Sequence, residues 1–278
     1  MIIAGAAALL LAGAAVVGIV VLSSAGSALP PDAVQSTLPA PAAERRTADQ
    51  IISVFENDVT DIQYGYIEDL QDGRGYTAGR AGFCSACGDM AEVVRRYTEA
   101  SPANPLASFL PGLTRLAAEG SDSHVGLEGM PQAWAQASAD PQFRAAQDAV
   151  VDETYYRPAV DLARQLGLTS SLARLVLYDT AIQHGVDEGP DSLAAVADRA
   201  TREAGGEPAD AAGETIWLEA FFSARRATLE QPSNPDTREV WAGSVGRVDA
   251  LHELLHEGNL NLDLPLEINP WGTPVEIR

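Results

Sequence analysis

Two carboxylates, Glu56 and Asp72, flank a tyrosine-bearing segment, and the second opens a glycine-rich turn, in the stretch ENDVTDIQYGYIEDLQDGRGYTAGRAGFCSACGD, residues 56–89. Two acids on different elements can divide the labour of cleaving a glycosidic bond. One protonates the leaving oxygen, and the other takes a proton from an attacking water. Glu56 fits the first role and Asp72 the second, with Gly73 and Gly75 letting the backbone approach a substrate and the Thr77 hydroxyl able to hold the water. Carboxylates are common in this chain, so the pair by itself fits solvated side chains around a turn equally well.

A second constellation points elsewhere. His252-Glu253-Leu254-Leu255-His256 is an HExxH pattern on a predicted helix, which would set two imidazoles on one face beside a glutamate, as in a zinc peptidase. The third ligand is the difficulty: no His or Gly follows at metzincin spacing, and Glu276, the best-placed glutamate, nearly ends the chain. The alternative is an amphipathic helix that turns Leu251, Leu254 and Leu255 inward and leaves both histidines in solvent, so no metal is expected. His124 and His184 read as hydrogen-bonded structural residues. Cys84 and Cys87 could close a local disulfide or stay as buried thiols, and the sequence leaves both open.

The elements that must position these groups are mostly helical. In TADQIISVFENDV, Thr47 can cap a helix whose apolar face is Ile51, Ile52, Phe55 and Val59, with Glu56 just off that face. Similar periodicity predicts helices over 90–100, 105–118, 141–165, 171–184, 192–203, 214–230 and 237–257. Aromatics and closely spaced glycines between Gln63 and Phe83 predict short strands and tight turns, so the class is mainly α with a small β element (α+β). The stretches 119–133 and 205–213 read as connections.

Composition narrows the partners. The chain of 278 residues carries 18 Lys+Arg against 39 Asp+Glu, a formal net charge of -21. Such a surface repels nucleic acid and anionic membranes and attracts a polycation, although acidity also serves solubility alone. Residues 1–22 after the initiating Met are a continuous apolar run. About twenty residues would span a bilayer as well as serve as a signal peptide, and Gly26 and Ala28 offer a cleavage site before Leu29. The expected organisation is residues 1–28 as signal peptide or membrane anchor, 29–46 as a Pro/Ala-rich tether, and 47–278 as one catalytic domain. Extracellular secretion is the expected location, with a membrane-anchored enzyme as the alternative if the run is retained.

The ordered set Glu56-Asn57, Tyr64, Asp72-Gly73-Arg74-Gly75, Thr77, Ala81-Gly82 and Asp89 resembles the signature of the family 46 glycoside hydrolases, the chitosanases. Further similar segments are SHVGLEG near His124, YYRPAV from Tyr155, LYDTAIQHG around Asp179, and HEGNLNLDLPL near the end, so the resemblance runs from about Thr47 to Arg278. It implies a two-lobed, lysozyme-like fold with a substrate cleft between lobes, and endo-hydrolysis of β-1,4 linkages between glucosamine units of chitosan with inversion. No cofactor and no stable protein partner are implied.

The same resemblance makes Glu56 the general acid, Asp72 the general base and Thr77 the residue that orients the water. It makes Arg74, Asp89, Tyr66 and Tyr155 substrate-binding residues, with Asp89 placed to pair with a glucosamine ammonium. Asp179 and Arg225 match a charged pair inside the protein. Other readings are a muramidase-like hydrolase of peptidoglycan, the zinc peptidase, and a non-catalytic glycan binder.

Overall fold

The computed structural model describes residues 42–71 and 73–278. Asp72 and the residues before Ala42, with the expected leader and most of the tether, lie outside the described residues. Among the described residues no helix is long and apolar enough to cross a membrane.

The chain starts with α1 (Ala42–Asn57), followed by the antiparallel strands β1 (Ile67–Asp69), β2 (Tyr76–Ala78) and β3 (Phe83–Cys84). Helices α2 (Asp89–Ala100), α3 (Leu110–Glu119), α4 (Met130–Ala137) and α5 (Pro141–Val151) pack around that sheet and each other. The second half holds α6 (Arg157–Gln165), α7 (Ser171–His184), α8 (Leu193–Glu203), α9 (Ala211–Glu230), α10 (Arg238–Gly243) and α11 (Val245–His256). It closes with the hairpin β4 (Leu266–Ile268) and β5 (Val275–Ile277). The sheet with α2–α5 makes one lobe and α7–α11 the other, while α1 reaches from α7 to β5.

Helix α7 explains the layout of the larger lobe. It is apolar almost all round and is buried along nearly its whole length, so it must be sheathed by its neighbours α1, α6, α8 and α11. Ser170 starts it by accepting the Ala173 N–H at 3.0 Å. The polar groups it carries inward, Asp179, Gln183 and His184, must therefore find partners on those neighbours.

Several sequence expectations change in three dimensions. Helix α1 covers Ala42–Asn57, overlapping the last residues of the expected tether, and Thr47 is an interior residue whose hydroxyl donates to the Ala43 carbonyl. Tertiary ion pairs account for the extension: Glu44 holds Arg174 at 2.7 Å, and Arg45 holds Asp152 at 3.0 Å. The expected connection at 119–133 contains the start of α4, which buries Met130 and Trp134. The helix expected over 237–257 is divided at Ser244 into α10 and α11.

The helix expected over 141–165 is interrupted by a π turn at Asp152–Tyr156. Pro158 supplies the reason, because its ring would meet the Thr154 carbonyl in a continuous α-helix, and the wider turn relieves that clash. The turn also sets the position of Tyr155.

Candidate active site

Glu56 sits on the last turn of α1 with its side chain only 4% exposed. Arg247 Nη2 of α11 lies 2.8 Å from Glu56 Oε1, an ion-pair distance without the angle of a hydrogen bond, and neither carboxylate oxygen has a hydrogen-bond partner. Burial pushes the Glu56 carboxyl above the usual glutamate range; Arg247 opposes the shift and Asp179 adds to it. A group held this way favours its protonated form, yet has a cation ready for the carboxylate left after a proton is given up.

Arg247 was missed by sequence reasoning. It also reaches Asp179 Oδ1 at 2.5 Å, and Asp179 Oδ2 lies 2.6 Å from Arg225 Nη2, which in turn donates to Gln183 Oε1 at 2.6 Å. The expected Asp179 and Arg225 pair is thus present as the inner part of a chain running Glu56, Arg247, Asp179, Arg225. Burial acts to raise the Asp179 carboxyl, but the two guanidiniums outweigh it and hold it below the usual range. No spacing rule links Glu56 to Arg247; only an unpartnered arginine among the core leucines of α11 could have flagged it.

The sheet brings the remaining candidates in from the other side. Thr77 is central in β2, 3% exposed, and its Oγ1 has no partner. Across the ladder it faces Cys84, whose N–H is turned away to donate to Asp89 Oδ1 at 2.8 Å; the Met90 N–H donates to the same oxygen at 2.7 Å. Burial pushes the Asp89 carboxyl up to about 6 against these main-chain hydrogen bonds and the Arg74 charge. Cys84 and Cys87 form a disulfide that closes the turn leading to Asp89, deciding the alternative the sequence left open.

Two glycines make this packing feasible. A Cβ at Gly75, where φ is +71°, would fall 2.2 Å from Ser85 Oγ, and one at Gly79 would fall 2.4 Å from Gln147 Oε1. Both side chains belong to the local framework: Ser85 accepts the Tyr76 N–H, and Gln147 accepts the Arg80 N–H.

Tyr155 connects the two sides. It is within electrostatic reach of Asp89, Glu56 and Arg74, and burial, reinforced by the two carboxylates, raises its hydroxyl above the ordinary tyrosine range. Tyr66 is placed differently, before β1, with its hydroxyl donating to Glu68 Oε2 at 3.0 Å. The structure therefore brings Glu56, Asp89, Arg74 and Tyr155 into one electrostatic neighbourhood, with Thr77 joined to Asp89 through Cys84. Asp72, the second carboxylate of the proposed pair, is outside the described residues.

The histidines resolve separately. His184 is buried, bonded through Nδ1 to the Asp191 carbonyl at 2.9 Å, and kept neutral by burial and Arg225, its pKa lowered to about 3. His124 stacks on Tyr76 with ring centroids 4.1 Å apart, and its Nε2 makes no hydrogen bond, contrary to the expected bonded role. Asp69 Oδ2 lies 3.8 Å from that nitrogen, beyond hydrogen-bond reach.

Residues 50–266 match the model of glycosyl hydrolase family 46. The chain belongs to glycosyl hydrolase family 46. It is 49% identical over 231 residues to a chitosanase of Bacillus subtilis (strain 168), covering 82% of this chain and 83% of that one. Among solved structures, a family 46 chitosanase of Gynuella sunshinyii in complex with chitotetraose is 47% identical, with a TM-score of 0.79 over 86% of this chain and 99% of that one. A glutamate-to-alanine variant of a chitosanase from Bacillus subtilis MY002, complexed with six GlcN units, is 46% identical with a TM-score of 0.80, over 86% of this chain and all (100%) of that one. The fold is accordingly the mostly helical, two-lobed, lysozyme-like one expected.

Proposed function

We propose that this glycosyl hydrolase is a secreted endo-chitosanase, which cleaves β-1,4 linkages between glucosamine units with inversion. The observation that carries the reading is the buried Glu56 carboxyl, raised by its surroundings, unbonded, and backed by Arg247. Family membership and the named substrates of the similar chains support the choice of polymer, as does a net charge of -21 facing a polycation.

In this mechanism Glu56 donates its proton to the glycosidic oxygen as the bond to the anomeric carbon breaks. Asp72 takes a proton from the water that attacks the opposite face of that carbon, and the unpartnered Thr77 hydroxyl orients the water. Arg247 then stabilises the Glu56 carboxylate until solvent returns a proton. Arg74, Asp89, Tyr66 and Tyr155 contact the sugars, with an ionised Asp89 paired to a glucosamine ammonium. The apolar run over 1–22 directs export, which N-terminal sequencing of protein recovered from culture medium tests.

Reducing-end release from highly deacetylated chitosan, with peptidoglycan in parallel, is the direct test for the wild type and Glu56→Gln. Hydrolysis of chitosan that disappears in the variant is expected. Cleavage of peptidoglycan alone would replace the substrate, and full activity in the variant would remove Glu56 from the mechanism.

A further inference from the structure

On the outer face of α11, opposite the side that sends Arg247 toward Glu56, His252 and His256 stand one turn apart. The third group comes from α9. Glu219 Oε2 lies 2.7 Å from His252 Nε2, and Glu219 Oε1 lies 3.4 Å from His256 Nε2. The acid that completes the HExxH pair is therefore Glu219, from a neighbouring helix, and not Glu276, which pairs with Arg278 near the end of the chain.

We propose that Glu219, His252 and His256 form a binding site for a divalent transition-metal ion, with zinc as its representative, separate from the hydrolytic centre. All three ligand atoms fall within 4.8 Å of one another. Two imidazole nitrogens and a carboxylate oxygen are borderline donors that suit zinc, copper or nickel better than magnesium or calcium. Bonds of about 2.0–2.1 Å in a tetrahedral site put neighbouring ligand atoms about 3.3 Å apart. Glu219 presents a different oxygen to each imidazole, at 2.7 and 3.4 Å, so an ion held by one of them requires the carboxylate to turn as the ion takes the place of the proton shared with His252.

The surroundings hold the ligands in place. Phe222, one turn beyond Glu219 on α9, stacks on the His252 ring with centroids 4.7 Å apart, which restricts how that imidazole can turn. Arg226 pairs with Asp249, a second tie between the same two helices. Glu253 on the ligand-bearing helix and Glu257 just after it are exposed and add negative potential. An ion at this position would clamp α9 to α11, the helices that supply Arg225 and Arg247.

The test is calorimetric titration of ZnSO4 into the chelator-treated full chain, prepared without a polyhistidine tag, for the wild type, His256→Ala and Glu219→Gln. Saturable one-to-one binding with a rise in Tm is expected for the wild type. His256→Ala removes a ligand and is expected to weaken binding by at least the about 10- to 100-fold that losing a supporting partner costs. Cobalt(II) in the same site should give visible d–d absorption that both variants lose. Unchanged hydrolysis of the family substrate and unchanged near-UV circular dichroism in both variants show that they are folded, so a binding loss is local. Non-saturable uptake by the wild type, equal zinc binding in the variants, or equally tight saturable binding of magnesium would each overturn the proposal, pointing instead to diffuse attraction by an acidic surface.

Discussion

Two buried charge clusters lie side by side on α1 and α7, and they differ in how completely their polar atoms are paired. Around Arg80, whose side chain is 5% exposed, Asp49 lies at 2.7 Å and Asp148 is in close contact. Tyr64 donates to Asp148 at 2.8 Å, Tyr178 to Asp49 at 3.0 Å, and Arg45 pairs with Asp49 at 3.1 Å. Tyr156 Oη alone lacks a partner there, and its ring lies under the Arg45 guanidinium. Around Glu56, by contrast, both Glu56 oxygens, Asp179 Oδ2, Arg225 Nε and Nη1, and His184 Nε2 are buried without hydrogen bonds.

A buried polar atom without a hydrogen bond costs about 1–3 kcal/mol, and the ion pairs at Glu56 Oε1 and Asp179 Oδ2 offset part of that cost. The Arg80 cluster joins α1, the sheet region, α5 and α7 and holds the lobes in register. In the Glu56 cluster Asp179 and Arg225 are fully buried behind Arg247 and hold it beside Glu56. The same residue types thus tie elements together around Arg80 and set the environment of one carboxyl around Glu56.

Breaking each cluster in turn should separate the two roles. The largest effect is expected from Glu56→Gln, with kcat falling by about 10²- to 10⁴-fold, as loss of a general acid predicts, and oligosaccharide affinity nearly unchanged. Arg80→Met should do the reverse. It takes a guanidinium from Asp49 and Asp148, which keep Arg45 and Tyr178 on the first and Tyr64 on the second, and should cost about 1.5–3 kcal/mol in a denaturant melt, while kcat measured well below Tm stays near the wild-type value. A kcat loss matching that of Glu56→Gln would erase the distinction.

Thr77→Val tests a single unpaired atom. The hydroxyl makes no bond in the protein, so stability should hold or rise, whereas kcat should fall by up to about 10²-fold if that hydroxyl positions the water. Arg247→Met sharpens the electrostatics. Arg247 holds the Glu56 pKa down against burial, so removing it raises that pKa further; because the acid works only when protonated, the alkaline limb of kcat/KM should move to higher pH. An unmoved limb would mean another group sets it. Smallest is Asp89→Asn, expected to raise KM for short glucosamine oligomers about tenfold. In the wild type this binding should weaken as pH falls through about 6, where Asp89 takes up its proton, and the variant should lose that dependence.

Much of this was legible along the chain because the signals were local. The spacing of apolar residues marked 171–184, which is α7 as observed. The glycines and aromatics after Gln63 marked the small sheet, and Glu56 stood out by type and company. The failures were non-local. Thr47 was read as a helix start because nothing nearby announced that Glu44 and Arg45 would be drawn into the helix by Arg174 and Asp152. The break at 152–156 depended on Pro158, a local signal overridden by a continuous apolar pattern.

By itself, then, the sequence determined most of the helices and the β element and named Glu56 as the candidate acid, because periodicity and turn residues act within a few residues of one another. Tertiary structure alone decided which charge answers which. It placed Arg247 behind Glu56, divided the buried acids between a saturated and an unsaturated cluster, and brought Glu219 to His252 and His256. A charge taken out of water must be met by whatever face packs against it, and that face is chosen by the packing of whole helices and not by spacing along the chain.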